Sequence, residues 1–377
     1  MIKKIFLLGI IITSLFIGCS DDSDPSNNND NNGNSGSNTT TPVSLRSQVL
    51  VNWADNFIIP NYQSLSNKLF NLQTSVSNFC SNPDQLGLEE VRENWLQAYK
   101  SWQYVEMFNI GPAQQFYYHY KMNTYPANTN GIEAFIESGD FSNLNNPSPP
   151  NNASQGFPAM DYMLFGIAQN DSFIINLYDD LDLNYNQYLL DITDRMVSNT
   201  DNVLTEWDSY RDSFLASTEN NATSSINKMT NDFIYYYEKG FRANKIGIPI
   251  GVFSNGNNFP SKFEAYHKQD VSGILGLEAF DAIKAFFNGN DNPSLKHLID
   301  AAAIGDLTNL SSEINEQFDD AYTEFQGLNV NFVEQLQMSP GQLNSIYDEI
   351  QAGTVLLKTE MLSVLQIATD YVDADGD

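Results

Sequence analysis

The sequence predicts an all-α protein built as two packed helical bundles, and three observations carry that expectation. Apolar residues recur at the three-and-four spacing of a helix face through most of the 377 residues. No segment alternates apolar and polar residues as a half-buried strand would. The short apolar run from Ile246 to Val252 is broken by Gly247, Pro249 and Gly251, and reads as a turn between helices.

Taken in order, Leu45, Val49, Trp53 and Phe57, then Tyr62, Leu65, Leu69, Leu72 and Val76, predict a first helix that is kinked or restarted at Pro60. Leu88, Val91, Trp95, Ala98, Tyr99, Trp102 and Val105 predict a helix with an aromatic stripe over about 88–108, ending at Gly111-Pro112. The stretch 112–182 is rich in Asn and Pro; a connection of that length in a compact body carries function or short helices of its own. Tyr188, Leu189, Ile192, Met196, Val203, Trp207 and Phe214 give a long helix that stops near Ser217. Further helices are expected near 223–245, 270–288, 306–326 and 340–371. The bundles divide at about 43–219 and 220–377, with no clear internal repeat.

Lys3 and Lys4, an apolar run from Ile5 to Ile17 and the pair Gly18-Cys19 form a lipoprotein export signal over residues 1–19, with the cut before Cys19 and lipid on its thiol. The run is too short for a stable transmembrane helix. Residues 20–42 have almost no apolar surface to bury and are expected to act as a disordered tether. The acidic start of that tether, Asp21, Asp22 and Asp24, points to a lipid-anchored protein of the cell envelope. The outer membrane is its expected seat, with surface exposure or a periplasm-facing position both open.

Losing the signal removes two basic residues and leaves 16 against 47 acidic ones, a formal charge of −31. Such a field repels nucleic acid, so no nucleic-acid partner is expected. With Cys19 lipidated, Cys80 has no intrachain partner, and stability must come from core packing.

Trp95-Leu96-Gln97-Ala98-Tyr99-Lys100-Ser101-Trp102-Gln103-Tyr104-Val105-Glu106-Met107-Phe108 is similar to the second helix of the imelysin-like family, the former M75 peptidases and iron-regulated envelope lipoproteins, with its aromatic face and buried Glu. Gly156-Phe157-Pro158-Ala159-Met160-Asp161-Tyr162-Met163-Leu164-Phe165-Gly166 resembles that family's Gly-x-His-x-x-Glu segment. The family motif sets an imidazole and a carboxylate three residues apart on one helical face, a spacing suited to one metal ion. Here Pro158 stands in place of the His and Asp161 in place of the Glu, which removes the nitrogen donor. Asp161 is expected to serve as a cap or buried hydrogen-bond acceptor.

Other chemistries lack their residues. His119, His267 and His297 are scattered, so no His-Glu-x-x-His zinc motif exists, and no Gly-x-Ser-x-Gly elbow or phosphate-binding Gly-rich loop is present. Tyr117-Tyr118-His119-Tyr120 offers haem-ligand side chains, with aromatic packing as the commoner use of such a cluster. Glu264 and His267 are three apart and can share a metal if a helix forms there. Arg242 and Lys245 are candidates to neutralise buried carboxylates such as Glu106 or Asp161 across the bundle interface. The alternating acids Asp373, Asp375 and Asp377 imitate the start of a calcium loop but have no closing Glu, and read as a frayed tail.

A lipid-anchored ligand binder that catalyses nothing is expected, and the resemblance implies its link to uptake of iron or another metal compound. The candidate groove residues are Glu106, Asp161, Tyr162, Arg242, Lys245, Glu264 and His267. No catalytic residue is assigned, no cofactor beyond iron is indicated, and a peptide is the other ligand class. A metal-dependent M75-type peptidase and a surface protein-binding module are the alternatives.

Overall fold

The computed structural model describes residues 42–371. The export signal with Cys19, the tether through residue 41 and the acids from Asp373 onward lie outside the described residues. The described residues all fall within one compact unit. Among the described residues all regular structure is helical, and no helix is long and apolar enough to cross a membrane.

The first helix runs Val43–Asn52, widens to a π turn over Trp53–Ile58 and restarts as Ile59–Ser81, with Pro60 in its first turn, where its missing N–H has no intrahelical role. The helix Gln85–Gln103 packs on it and buries Leu88, Val91, Trp95, Ala98, Tyr99 and Trp102 completely. It stops five residues short of the expected end, so Val105 and Glu106 sit in the turns that follow. The long helix Tyr185–Ala216 closes this half against Ile59–Ser81.

The stretch 112–182 breaks into short helices, of which Tyr118–Met122, Thr129–Ser138, Gly156–Phe165 and Asp171–Asp179 matter most. In the second half, Ser225–Tyr235 continues as a twelve-residue π-helical segment, Tyr236–Gly247, closed by Ile248 N–H donating to Ala243 O at 2.8 Å. Ser272–Asn288, Leu310–Gln326 and Pro340–Val355 pack around it. Two further short helices, Leu295–Ala302 and Phe332–Met338, were not expected from the spacing.

The halves join through aromatic side chains. Phe286 stacks on Trp53 at 5.1 Å between ring centres and meets Phe57 and Phe108 edge-on. The Trp53 indole N–H donates to Ser294 Oγ at 2.8 Å, so the buried ring is also satisfied as a donor. Helix Gln85–Gln103 lies against Ser272–Asn288, with Lys100 paired to Glu278 at 2.6 Å.

Candidate functional site

The motif segment begins at Gly156, whose φ of +74° and closeness to Met122 O admit no Cβ; one there would lie 2.2 Å from that oxygen. Pro158 is buried in the first turn of Gly156–Phe165, where the backbone N–H it lacks is not needed. Asp161, 2% exposed, accepts the backbone N–H of His267 at 2.8 Å on one carboxylate oxygen and that of Lys268 at 2.9 Å on the other. Burial pushes its carboxyl up to about 7, against the opposing pull of those two amides and the Lys268 charge. Asp161 is thus a staple that holds the 263–270 segment to the motif helix.

Tyr162 and His267 share that environment. Their rings lie 5.1 Å apart, and Tyr162 donates to Glu133 Oε1 at 2.6 Å. The His267 ring packs so tightly on Gly166 that a Cβ there would be 2.5 Å from Nδ1, and burial pushes the imidazole down to about 4. This donor set does not fit a metal ion. Pro158 has no lone pair to give, both Asp161 oxygens are committed to amides, and among the described residues no three of His, Cys, Asp and Glu converge.

A second cluster forms where the π-helical segment meets the end of Gln85–Gln103. Lys245, 2% exposed, donates to Glu264 Oε2 at 2.6 Å and to Gln103 Oε1 at 2.8 Å, and stands 3.4 Å from Glu106 Oε2. Asn123 bridges both carboxylates, donating to Glu106 Oε1 and Glu264 Oε1 at 2.8 Å each, while its own oxygen accepts the Tyr99 hydroxyl at 2.6 Å. Burial alone would lower the Lys245 pKa; the charges of Glu106 and Glu264 and the hydrogen bonds to them outweigh it and raise the pKa.

Glu106 also borders a cavity of about 390 Å³, shared with His119, Tyr125, Asp232 and Tyr236. The Tyr236 hydroxyl donates to Glu106 Oε2 at 3.2 Å. His119 Nε2 lies 2.7 Å from Glu106 O; because a carbonyl oxygen can only accept, Nε2 carries the proton and Nδ1 is a bare acceptor. That Nδ1 is buried without a partner, and burial pushes the imidazole down to about 4, so the ring is neutral.

Of the seven residues expected in one groove, the structure therefore makes two groups, Glu106–Lys245–Glu264 and Asp161–Tyr162–His267, and places only Glu106 on the cavity wall. Glu264 and His267 do not share a helical face: Ala265 between them has φ +55° and turns the chain. Arg242 is apart from both groups. Instead of neutralising Glu106 or Asp161, it donates to the Tyr347 hydroxyl at 3.0 Å and lies 3.6 Å from Glu238. In the aromatic cluster, Tyr118 is buried against Thr200 and Tyr117 is exposed, while His119 and Tyr120 reach the cavity. Asn123, Tyr125, Asp232 and Tyr236 were missed; only the local density of tyrosines signalled them.

The imelysin (peptidase M75) family model matches residues 58–357. The chain belongs to the imelysin family. Iron-regulated protein A of Synechococcus elongatus is 25% identical over 93 residues, a match that spans only 26% of that relative's length and 25% of this chain. A solved imelysin-like protein from Psychrobacter arcticum aligns with a TM-score of 0.69 at 17% identity, covering 88% of this chain and 98% of that one. An iron-regulated protein A precursor from Parabacteroides distasonis aligns with the same score at 18% identity, covering 87% and 97%. At those identities the structural likeness shows a shared imelysin fold.

Proposed function

We propose that this imelysin is a lipid-anchored protein of the cell envelope that binds a ligand in the cavity beside Glu106 and catalyses no reaction. Its physiological link is uptake of iron or another metal compound. The observation that carries the reading is the state of the motif: Asp161 spends both oxygens on backbone amides beside a proline, so no water-activating ion can be held there as a peptidase would require. Away from the motif the chain keeps a partly polar cavity beside Glu106, lined also by Asp232, whose carboxylate has no partner among the described residues. The iron link is supported by the names of two relatives, each an iron-regulated protein A. The anchor is supported by the apolar run from Ile5 to Ile17 and the Gly18-Cys19 pair that follows it.

Calorimetric titration with ferric chelates, haem and short peptides tests the binding claim, together with elemental analysis and peptidase assays with and without chelator. Saturable binding of one of these without substrate turnover is the expected result. Stoichiometric zinc with chelator-sensitive proteolysis would reject the reading in favour of an M75 peptidase. Membrane fractionation of the Cys19→Ser variant, expected to lose its place in the outer-membrane fraction, tests the anchor.

A further inference from the structure

The cavity beside Glu106 has an uneven inventory of polar groups. Asp232 lines it, and its carboxylate has no hydrogen bond or ion pair with any described residue. Burial and the nearby Asp370 raise its pKa and Lys228 only partly offsets them, the mark of a carboxylate short of a counter-charge. His119 lines the cavity too, but its unpartnered Nδ1 is buried rather than open to the cavity. Glu106, its side chain 14% exposed, is a second acidic wall group. Against these stands one ammonium on the wall, Lys262, held 4.6 Å over the ring of Phe259.

The rest of the wall is aromatic: Tyr120, Tyr125, Tyr235 and Tyr236 all line it. Ring faces carry the negative part of the aromatic quadrupole and attract cations. An anion would meet the unpaired Asp232 carboxylate and ring faces together, and a neutral apolar ligand would leave that carboxylate unmet. What the wall lacks is N–H donors bearing positive charge.

We infer that the cavity is a binding site for an organic cation that carries N–H groups, a protonated amine or a guanidinium, seated between the Asp232 carboxylate and the tyrosine faces. The inference rests on the ligand-binding reading above and names the group that is gripped; a metal chelate bearing a protonated amine falls within the class. A quaternary ammonium keeps the charge but has no N–H to donate to the Asp232 carboxylate, so it binds more weakly than a primary amine of like size.

The test is calorimetric titration of the purified chain with phenethylamine and agmatine, with 2-phenylethanol as the uncharged counterpart. Both cations are expected to bind and the alcohol not to. Asp232→Asn should weaken the cations by about tenfold to about a hundredfold, the range expected for losing one charge-assisted contact. Tyr120→Ala removes a 55%-exposed ring whose loss leaves the core intact, and should weaken them severalfold; it decides the matter if Asp232→Asn does not fold. Equal binding of the alcohol, or unchanged cation affinity in the variants, would overturn the inference. If ferric chelates or peptides bind while no amine does, the cation inference falls and the ligand-binding reading stands. Zinc-dependent proteolysis would remove the underlying reading itself.

Discussion

Replacing Lys245 by methionine removes the only cation within reach of Glu106 and Glu264 among the described residues and keeps most of the side-chain volume. The two carboxylates then share one Asn123 amide, one Gln103 amide and the Tyr236 hydroxyl, with no positive charge to offset their burial. Breaking a buried pair by deleting one partner costs about 3–5 kcal/mol. A separate route gives a similar figure: a proton can replace the ammonium, and neutralising an ordinary glutamic acid costs roughly 3.7 kcal/mol at pH 7 but only roughly 1 kcal/mol at pH 5. Lys245→Met should therefore lose about 3–4 kcal/mol at pH 7, a large share of a typical folding free energy of about 5–15 kcal/mol, and much less at pH 5.

The alkaline limb has the opposite dependence. Because the folded pKa of Lys245 is raised, the stability contributed by the pair is fully present below the ordinary value of 10.5 and is lost as pH rises through the folded one; the variant should lack that loss. Urea unfolding followed by far-ultraviolet circular dichroism at pH 5, 7 and above 10 reads all three conditions. Lys245→Met with Glu264→Gln should be more stable than Lys245→Met alone, since one uncompensated charge leaves with its partner. A cost under about 1 kcal/mol at pH 7, or a deficit that does not shrink at pH 5, would refute the idea that this ammonium balances the buried carboxylates.

Asp161→Asn keeps the shape but turns one acceptor into a donor facing a backbone N–H, so it should cost about 1–3 kcal/mol near pH 6 by thermal or urea unfolding. The raised Asp161 pKa means that wild-type stability from this group is lost as pH rises from the ordinary value of 3.8 to about 7, so the gap to the variant should narrow over that window and hold steady above it. Gly156→Ala meets both a positive φ and Met122 O at 2.2 Å; a loss of about 2 kcal/mol or more in unfolding free energy, or failure to accumulate as soluble protein, is expected. The Cys80 thiol, buried and pushed up to about 12, should be inert to a chromogenic disulfide at pH 8 in a Cys19→Ser background and react at once in denaturant.

Helix faces were readable because burial is near total where the spacing is regular. The stripe from Leu88 to Trp102 and the Tyr188 to Phe214 stripe fall inside the helices Gln85–Gln103 and Tyr185–Ala216. Pro60 marked a restart because the missing N–H forces one; the π turn before it, Trp53–Ile58, leaves no trace in apolar spacing. The same blindness hid the winding of Tyr236–Gly247, and with it why Arg242 and Lys245, three residues apart, serve different partners. Leu295–Ala302 and Phe332–Met338 are shorter than the window periodicity needs. Within the site, the chemistry of a lone lysine among acids was legible, and Lys245 does meet Glu106 and Glu264. Asp232 was not, because nothing in its neighbours along the chain shows that Tyr120 and Tyr125, more than a hundred residues earlier, wall the same cavity.

The carboxylates at the centre of this fold are met in different ways, and the differences locate the site better than the motif does. Asp161 is satisfied by two backbone amides, and Glu264 by an ammonium and two side-chain amides. Glu106 takes an amide, a phenol and the same ammonium at longer range. Each of these groups is closed by the chain itself, and an acceptor already filled by covalently tethered donors has little to gain from a ligand. Among the described residues the Asp232 carboxylate has no such donor, although it borders the cavity. Leaving buried acceptors unmet costs on the order of 1–3 kcal/mol each, and more for a charged one. A fold that completes its hydrogen bonding around Asp161 and Glu264 but leaves the Asp232 carboxylate without a donor among the described residues keeps unmet acidity beside a cavity, where an incoming molecule can supply that donor.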